Sequence, residues 1–141
     1  MVDDFATSKA LLDKTQAFAD LHGYRLAIQS VYFKPLPSET YLKESFLAND
    51  TDPLGLAAES SDRQDPIYQI DILTPKGQGG KFAGMEVANL LKREFQRTCF
   101  IPNSVGQKVQ ISNVSSRIMP ADKTHNWTMV NIELIVMASN T

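Results

Sequence analysis

The sequence predicts an α+β domain in which two main helices pack on one face of an antiparallel (mixed) sheet of four to five strands. Residues 4–22 and 81–98 repeat apolar side chains at helical spacing, whereas the segment from Trp127 to Ala138 alternates apolar and polar residues at the period of a strand. At 141 residues the chain is expected to form a single domain, residues 1–141, which is large enough to bury a hydrophobic core.

The composition argues against several classes of function. Lys and Arg total 14 against 16 Asp and Glu, so the net charge of −2 gives no bulk attraction to nucleic acid or to an anionic membrane. No apolar run approaches the ~20 residues that span a bilayer, and the acidic N-terminus is unlike a targeting segment. We therefore expect no nucleic-acid recognition and no membrane insertion. The single cysteine, Cys99, lies in an apolar run and is expected to be a buried structural thiol.

The first helix is predicted over residues 4–22. Asp3 or Asp4 can cap its N-terminus, and Gly23 follows where a left-handed C-terminal residue is expected. From Tyr24 to Phe33 the residues become aromatic and β-branched, which indicates an extended segment whose pairing the sequence leaves open.

A strand and a long irregular segment follow. Tyr41 to Ala48 is predicted to be a strand with apolar residues on both faces, so both faces are expected to be covered. Residues 49–66 carry Asn, Asp, Ser, Gly and Pro with little periodicity, and a loop of that length in a compact domain is usually functional or mobile. We expect a protruding loop at about 49–66, with an ordinary disordered excursion as the alternative.

The next strand begins at about residue 67. Tyr68, Ile70 and Ile72 alternate with Gln69 and Asp71, which predicts one buried face and one face in water. The strand then runs into a turn that is rich in glycine.

The turn from Pro75 to Lys81 invites comparison with a phosphate-binding loop. Pro75 and Phe82 stand where a P-loop needs its first glycine and its Ser or Thr, so we favour a plain strand-to-helix turn. The second helix is predicted over Lys81–Thr98. Its buried stripe is predicted to contain Gly84, Val87, Ala88, Leu91 and Phe95.

The chain ends in a predicted hairpin of two strands, Lys108–Met119 and Trp127–Ala138, joined by a polar turn over Pro120–Asn126. The apolar parity of the first strand changes between Ile111 and Val114, which indicates a β-bulge. The second strand also carries apolar side chains on the face opposite its core residues. A neighbouring copy or the subunit's own loops are expected to cover these side chains, which are Trp127, Met129, Ile135 and Met137.

The sequence contains no recognisable catalytic constellation. His22 closes the first helix, where it suits the helix dipole, and His125 is expected to be solvated in the polar turn. Neither histidine has the spacing of a metal ligand, and Glu59, Asp62 and Asp65 are spaced like solvated surface residues. We therefore predict that the chain is not an enzyme, with no catalytic, cofactor-binding or metal-binding residues and no cofactor.

Taken in order, several segments carry a family resemblance. They are an N-terminal helix, Val31-Tyr32-Phe33-Lys34-Pro35 before the Tyr41-Leu42 strand, Tyr68-Gln69-Ile70-Asp71-Ile72-Leu73 running into Pro75-Lys76-Gly77-Gln78-Gly79, a helix ending in Phe95, and a hairpin whose turn precedes Trp127. In this order the chain resembles the tail-terminator, or tail-completion, proteins of long-tailed bacteriophages, which are minor tail proteins. The resemblance covers nearly the whole chain.

The resemblance implies a structural role in the virion, at the head-proximal end of the tail, after assembly in the host cytoplasm. Proteins of this family form a ring, typically a hexamer, that caps the finished tail tube, stops its polymerisation and joins it to the head. The implied partners are other copies of the chain, the tail tube protein, and a head–tail connector or neck protein. By this analogy the expected partner contacts are Asp52, Leu54, Leu56, Arg63, Lys76, Gln78 and Lys81, and the expected subunit contacts are Trp127, Met129, Ile135 and Met137.

Two alternatives stay open at the level of sequence. A head-closure or neck subunit shares the size and the ring habit, and only its docking partner separates it from a terminator. A small anion-binding protein or enzyme that uses the glycine turn at 75–81 is the other alternative, which tight binding of a phosphorylated ligand would favour.

Overall fold

One mixed sheet and two helices make up the fold. The computed structural model describes residues 2–48, 52–53, 61–77, 79–97 and 99–139. In that part of the chain the sheet has eight strands. The helices are α1 (Asp4–His22) and α2 (Lys81–Glu94), and the strands are β1 (Arg25–Ala27), β2 (Tyr41–Leu47), β3 (Asp52–Pro53), β4 (Ser61–Gln64), β5 (Ile67–Pro75), β6 (Phe100–Pro102), β7 (Lys108–Met119) and β8 (His125–Ser139).

Strand β8 is the axis of the sheet. On one side it pairs with β5 and then with β4, and on the other side it pairs with β7. β2 lies outside β5, β1 runs parallel to β2, and β6 lies outside β7. The α+β class and the mixed sheet are confirmed, but the predicted four to five strands are too few. Strands β1, β3, β4 and β6 have only two to four residues each, which is too short for alternation to reveal them.

Helix α1 has the bounds that its sequence predicts. Asp3 caps it, since its Oδ1 accepts the backbone N–H of Ala6 at 2.9 Å. Gly23 ends it with a φ of 74°, in the left-handed region that favours glycine. Of the extended segment predicted from Tyr24 to Phe33, only Arg25–Ala27 forms a strand.

Helix α2 follows the glycine turn and ends earlier than predicted. The turn places Gly77 and Gly79 at φ 84° and 79°, a backbone conformation that other residues rarely adopt. The helix stops at Glu94 rather than Thr98, because Phe95 leaves helical geometry while its ring lies fully buried in the core. The predicted stripe is confirmed as buried, namely Gly84, Val87, Ala88, Leu91 and Phe95.

Both helices cover the same face of the sheet, as predicted. The hydroxyls of Thr15 in α1 and Tyr68 in β5 lie 3.1 Å apart, and Gly84 of α2 packs against Thr128 of β8. Tyr68 and Thr128 lie on one face, because Ile72, four residues after Tyr68, pairs with Thr128. We call this side the helix face and the opposite side the open face. The largest fully buried side chains are Leu11, Leu42, Tyr68, Ile70, Ile72, Leu91, Phe95, Val109, Ile111, Val130, Ile132 and Leu134.

The C-terminal hairpin and its bulge are confirmed. β7 and β8 pair antiparallel from Met119 and Trp127 onward, and the register shifts between Ile111 and Asn113. The bulge lets apolar side chains on both sides of the shift face the helices.

One local prediction needs correction, and a second is covered only in part by the described residues. Cys99 is exposed rather than buried, because β6 begins only at Phe100 and it is Ile101 that enters the core. Within the predicted loop at 49–66, residues 61–64 form β4 on β8, and 52–53 form β3 on β4. Residues 49–51 and 54–60 lie outside the described residues, so a protruding loop there stays a prediction.

Candidate assembly surface

The open face is formed on β8 by the odd-numbered residues from Trp127 to Met137. They alternate with fully buried residues of the helix face, such as Ile132. Trp127, Met129 and Ile135 are partly buried, and Met137 is 39% exposed. The four predicted subunit contacts therefore share one surface, and their role as contacts stays a prediction.

Asp71 is buried on the open face, which corrects the prediction that it faces water. It is 6% exposed. Its Oδ1 accepts hydrogen bonds from the indole N–H of Trp127 and from the side-chain amide N–H of Gln69, each at 2.9 Å. A buried carboxylate is costly unless its oxygens are hydrogen-bonded, so these two donors are needed where they are. The Trp127 ring is thereby fixed to β5 within one subunit.

A shallow depression lies on the open face beside the connection between β4 and β5. Its lining includes Arg63, Ile67, Glu133 and Ile135. The Arg63 guanidinium is paired with Asp65, with Nε and Oδ1 2.9 Å apart, on an exposed part of the surface. Apolar and charged side chains are thus mixed in this depression.

The glycine turn lies beside the β7–β8 turn at one end of the sheet. The backbone N–H of Lys76 donates to the carbonyl of Thr124 at 3.2 Å. Lys81 is exposed at the start of α2, with its ammonium 5.4 Å from the centre of the Phe82 ring. Phe82 is itself 63% exposed, so this end presents cationic and aromatic side chains together.

His125 is buried at the start of β8, which corrects the prediction that it is solvated. Its Nε2 lies 2.9 Å from the carbonyl oxygen of Glu39, and its Nδ1 lies 2.9 Å from the Thr124 hydroxyl. The backbone N–H groups of His125 and then of Thr124 donate to Asp122 and hold the pKa of that carboxyl below its ordinary value. Burial, followed by the charge of Asp122, raises the pKa of Tyr41 beside the imidazole. The histidine therefore ties this turn to the segment before β2.

The structure does not bring the predicted partner contacts together. Lys76 and Lys81 lie by the glycine turn, where β5 meets His125, whereas Arg63 pairs with Met137. These two ends are twelve residues apart along β8, which is roughly 40 Å at ~3.3 Å per residue. Leu54, Leu56 and Gln78 lie outside the described residues, and of Asp52 only the backbone, in β3, is described.

Sequence reasoning missed the exposed outer part of β7. All four residues from Ser115 to Ile118 are exposed, on both faces of the strand. The available signal is the polar run Ser115-Ser116-Arg117, which interrupts the apolar alternation of the predicted strand.

The described ranges bear on metal binding and on membrane spanning. Within them no group of three or more His, Cys, Asp or Glu side chains is placed to hold a metal ion. None of the helices there is long and apolar enough to cross a bilayer.

The described part of the chain is a small α+β fold in which two helices cover one face of the sheet and the other face is partly apolar. The family model for the phage tail terminator protein matches residues 6–134, and the chain belongs to this family. It is therefore a structural phage tail protein, of a family that interacts with other tail and head proteins.

Two further comparisons concern the fold and the known relatives. One solved structure, of a protein that carries no functional name, superposes with a TM-score of 0.77 over 96% of each chain at 17% sequence identity. At that identity the likeness shows a shared fold alone. Among curated proteins, none matches this sequence.

Proposed function

We propose that this chain forms a ring, of six copies by the family resemblance, which caps the head-proximal end of the phage tail tube. The ring stops tube polymerisation and presents the surface that joins the tail to the head–tail connector or neck. The observation that carries the proposal is the family match over residues 6–134. The role is structural rather than enzymatic, and its place is the tail of the virion.

The open face supports the ring. A closed ring of identical copies uses a head-to-tail contact in which two different surfaces of each copy meet. Ile135 and Met137 form an apolar strip on the open face of β8. Met129 lies on the same face beyond Asn131 and Glu133, with Arg117 opposite it on β7. Methionine and arginine are enriched at protein interfaces, and the apolar strip gains free energy when a neighbour removes it from water.

The two ends of β8 suit two different axial partners. A terminator must bind the tail tube on one side and the connector on the other. The two ends of β8 are roughly 40 Å apart, with Lys76 and Lys81 at one end and Arg63 at the other. Two partners can therefore bind at the same time, one at each end.

Mass by light scattering over a concentration series, with and without purified tail tubes, tests the proposal. Samples are kept reduced because Cys99 is exposed. Electron microscopy of the complex is expected to show a ring seated on one end of the tube. A ring that binds the capsid connector but not the tube assigns the chain to the head-closure or neck position instead. A monomer indifferent to both would overturn the proposal.

A matched pair of substitutions tests the role of the open face. Ile135→Asp places a charge in the apolar strip and is expected to prevent ring formation while the far-ultraviolet circular dichroism stays native. Leu21→Asp makes the same kind of change on α1, where Leu21 is 78% exposed, and is expected to leave the ring intact. Equal effects of the two variants on ring mass would exclude the open face as a contact.

A further inference from the structure

Among the described residues, the outer edge of β7 is unpaired over most of its length. β6 covers only Lys108–Gln110 of β7. From Asn113 to Met119 the described part of the chain supplies β7 with a strand on one side only, that of β8. A long edge of this kind is a template for another strand.

The hydrogen bonds around β8 show which backbone groups of β7 point outward. The carbonyl of Glu133 points toward β7, since it accepts the Ser112 hydroxyl at 3.0 Å, and the N–H of Leu134 points toward β5, since it donates to Pro66 at 3.1 Å. Odd-numbered residues of β8 therefore bond β7, and even-numbered residues bond β5. The β7 residues that pair with even-numbered residues of β8 point their N–H and C=O groups away from the sheet, and these are Val114, Ser116 and Ile118. Across the described ranges, their outward groups have no backbone partner.

The other edges of the sheet are short or capped. β1, β3 and β6 have three, two and three residues. Where β2 extends beyond β1, the N–H of Phe46 is taken by the side-chain oxygen of Gln29 at 2.7 Å. Natural sheets usually protect exposed edges in these ways, so the unprotected β7 edge stands apart.

A segment with the sequence of a strand, which pairs with no strand in the described part of the chain, lies at the opposite end of the sheet. Within the subunit its Val31 N–H donates to the Ile28 carbonyl at 3.0 Å and its Lys34 carbonyl accepts from the Arg25 guanidinium at 3.1 Å. Residues 31–34 read Val-Tyr-Phe-Lys, which favours extended backbone, yet Val31 is 59% exposed and Tyr32 is 87% exposed. Ser30 precedes them with a φ of 64°, which is unusual for a residue other than glycine. The segment follows β1, whereas β7 lies on the far side of β8.

We infer that residues 31–34 of a second copy of this chain add as a strand to the outer edge of β7, opposite Val114, Ser116 and Ile118. The contact is head-to-tail, because the donor segment and the acceptor edge lie at opposite ends of one sheet, and repetition by rotation closes a ring. This inference rests on the proposed ring and specifies its subunit contact.

Ser116→Pro, compared with Ser116→Ala, tests the acceptor edge. Proline removes the outward N–H and is tolerated on an edge strand, whereas alanine keeps the N–H and removes only the hydroxyl. Ser116→Pro is expected to raise the concentration needed for half-assembly by about tenfold or more, and Ser116→Ala to leave it unchanged. Equal assembly by the two variants would overturn the inference.

Mixing two blocked variants tests the head-to-tail direction. Ser116→Pro keeps the donor segment, and Tyr32→Asp keeps the acceptor edge but puts a charge into the donor. At a concentration where the parent assembles but Ser116→Pro does not, each variant alone is expected to stay near 15.7 kDa. An equimolar mixture is expected to form pairs of about twice that mass. A mixture that forms no pairs would count against the inference.

Hydrogen exchange on the unmodified ring separates this inference from the proposed function. On assembly the amides of Val114, Ser116 and Ile118 are expected to gain protection, whereas those of Ser115 and Arg117 already bond β8 and change little. A ring without that gain overturns the strand contact and leaves the terminator role standing. A chain that never assembles overturns both.

Discussion

The helix face and the open face of the sheet carry similar apolar side chains but bury them to different extents. On β8, Ile132 of the helix face is fully buried under the helices, whereas Ile135 of the open face is only partly buried. Both residues belong to one strand and differ only in the direction of their side chains. Burial of apolar side chains on the helix face therefore stabilises the single subunit. Apolar area on the open face adds stabilising free energy only when another chain covers it.

Truncation of one isoleucine on each face tests most directly whether the two faces contribute differently to stability. Ile132→Ala is expected to lower the free energy of unfolding by about 2–5 kcal/mol, because it leaves a cavity in a fully buried site. Ile135→Ala makes the same chemical change at a site the subunit does not fully enclose and is expected to cost less than about 1 kcal/mol. Urea denaturation at a concentration where both variants are monomeric measures the two values. Comparable losses would show that the open face is a second core.

The helix face is also expected to lose stability when a side chain is enlarged there. A Cβ at Gly84 meets the Thr128 hydroxyl across the contact between α2 and β8. Gly84→Ala is expected to destabilise by about 1–3 kcal/mol, since the helix must lift from the sheet. Thr128→Ala in the same chain removes the hydroxyl and is expected to recover part of that loss. A Gly84→Ala variant as stable as the parent would show that the helix packs loosely on this face.

The period-two alternation predicted which residues of β8 share a face, because the pleat of a strand imposes that period on every side chain. It did not predict that Asp71 is buried, because the cover comes from Trp127, which is 56 residues away in sequence. Alternation alone also placed Trp127, Met129, Ile135 and Met137 on one face of β8, whereas their role as contacts stays a prediction. The open edge of β7 was not foreseen, since alternation does not say which strand lies outermost.

Trp127→Phe tests how far the open face is stabilised from within the subunit. Phenylalanine keeps much of the ring but removes the N–H that Asp71 accepts, so a loss of about 1–2 kcal/mol is expected. In an Asp71→Asn background the charge is gone, and the same replacement is expected to cost clearly less. A double-mutant cycle of unfolding free energies measures the coupling. Coupling near zero would show that Trp127 is held by packing alone and is free to serve a neighbour.

Among the described residues, Glu44 is a buried acid on the helix face, so the stability of this face is expected to depend on pH. Glu44 is 3% exposed and its Oε2 has no hydrogen-bond partner in the described part of the chain. Burial raises the pKa of Glu44 above its ordinary value, against the opposing effect of the Gln29 backbone N–H. The folded state therefore binds this proton more tightly than the unfolded state, and the contribution of Glu44 to stability falls as pH rises through the raised pKa.

Glu44→Gln removes that titration and is expected to give the smallest effect of the four. The variant should be more stable than the parent at neutral pH, and the difference should shrink as pH falls toward about 4, where the parent carboxyl is also neutral. Unfolding free energies of both proteins over that range measure the difference directly. Charged groups elsewhere titrate equally in the two proteins and cancel. A difference in unfolding free energy that stays constant with pH would mean that water reaches Glu44. The helix face would then exclude water less completely than we assume in predicting a larger loss for Ile132→Ala than for Ile135→Ala.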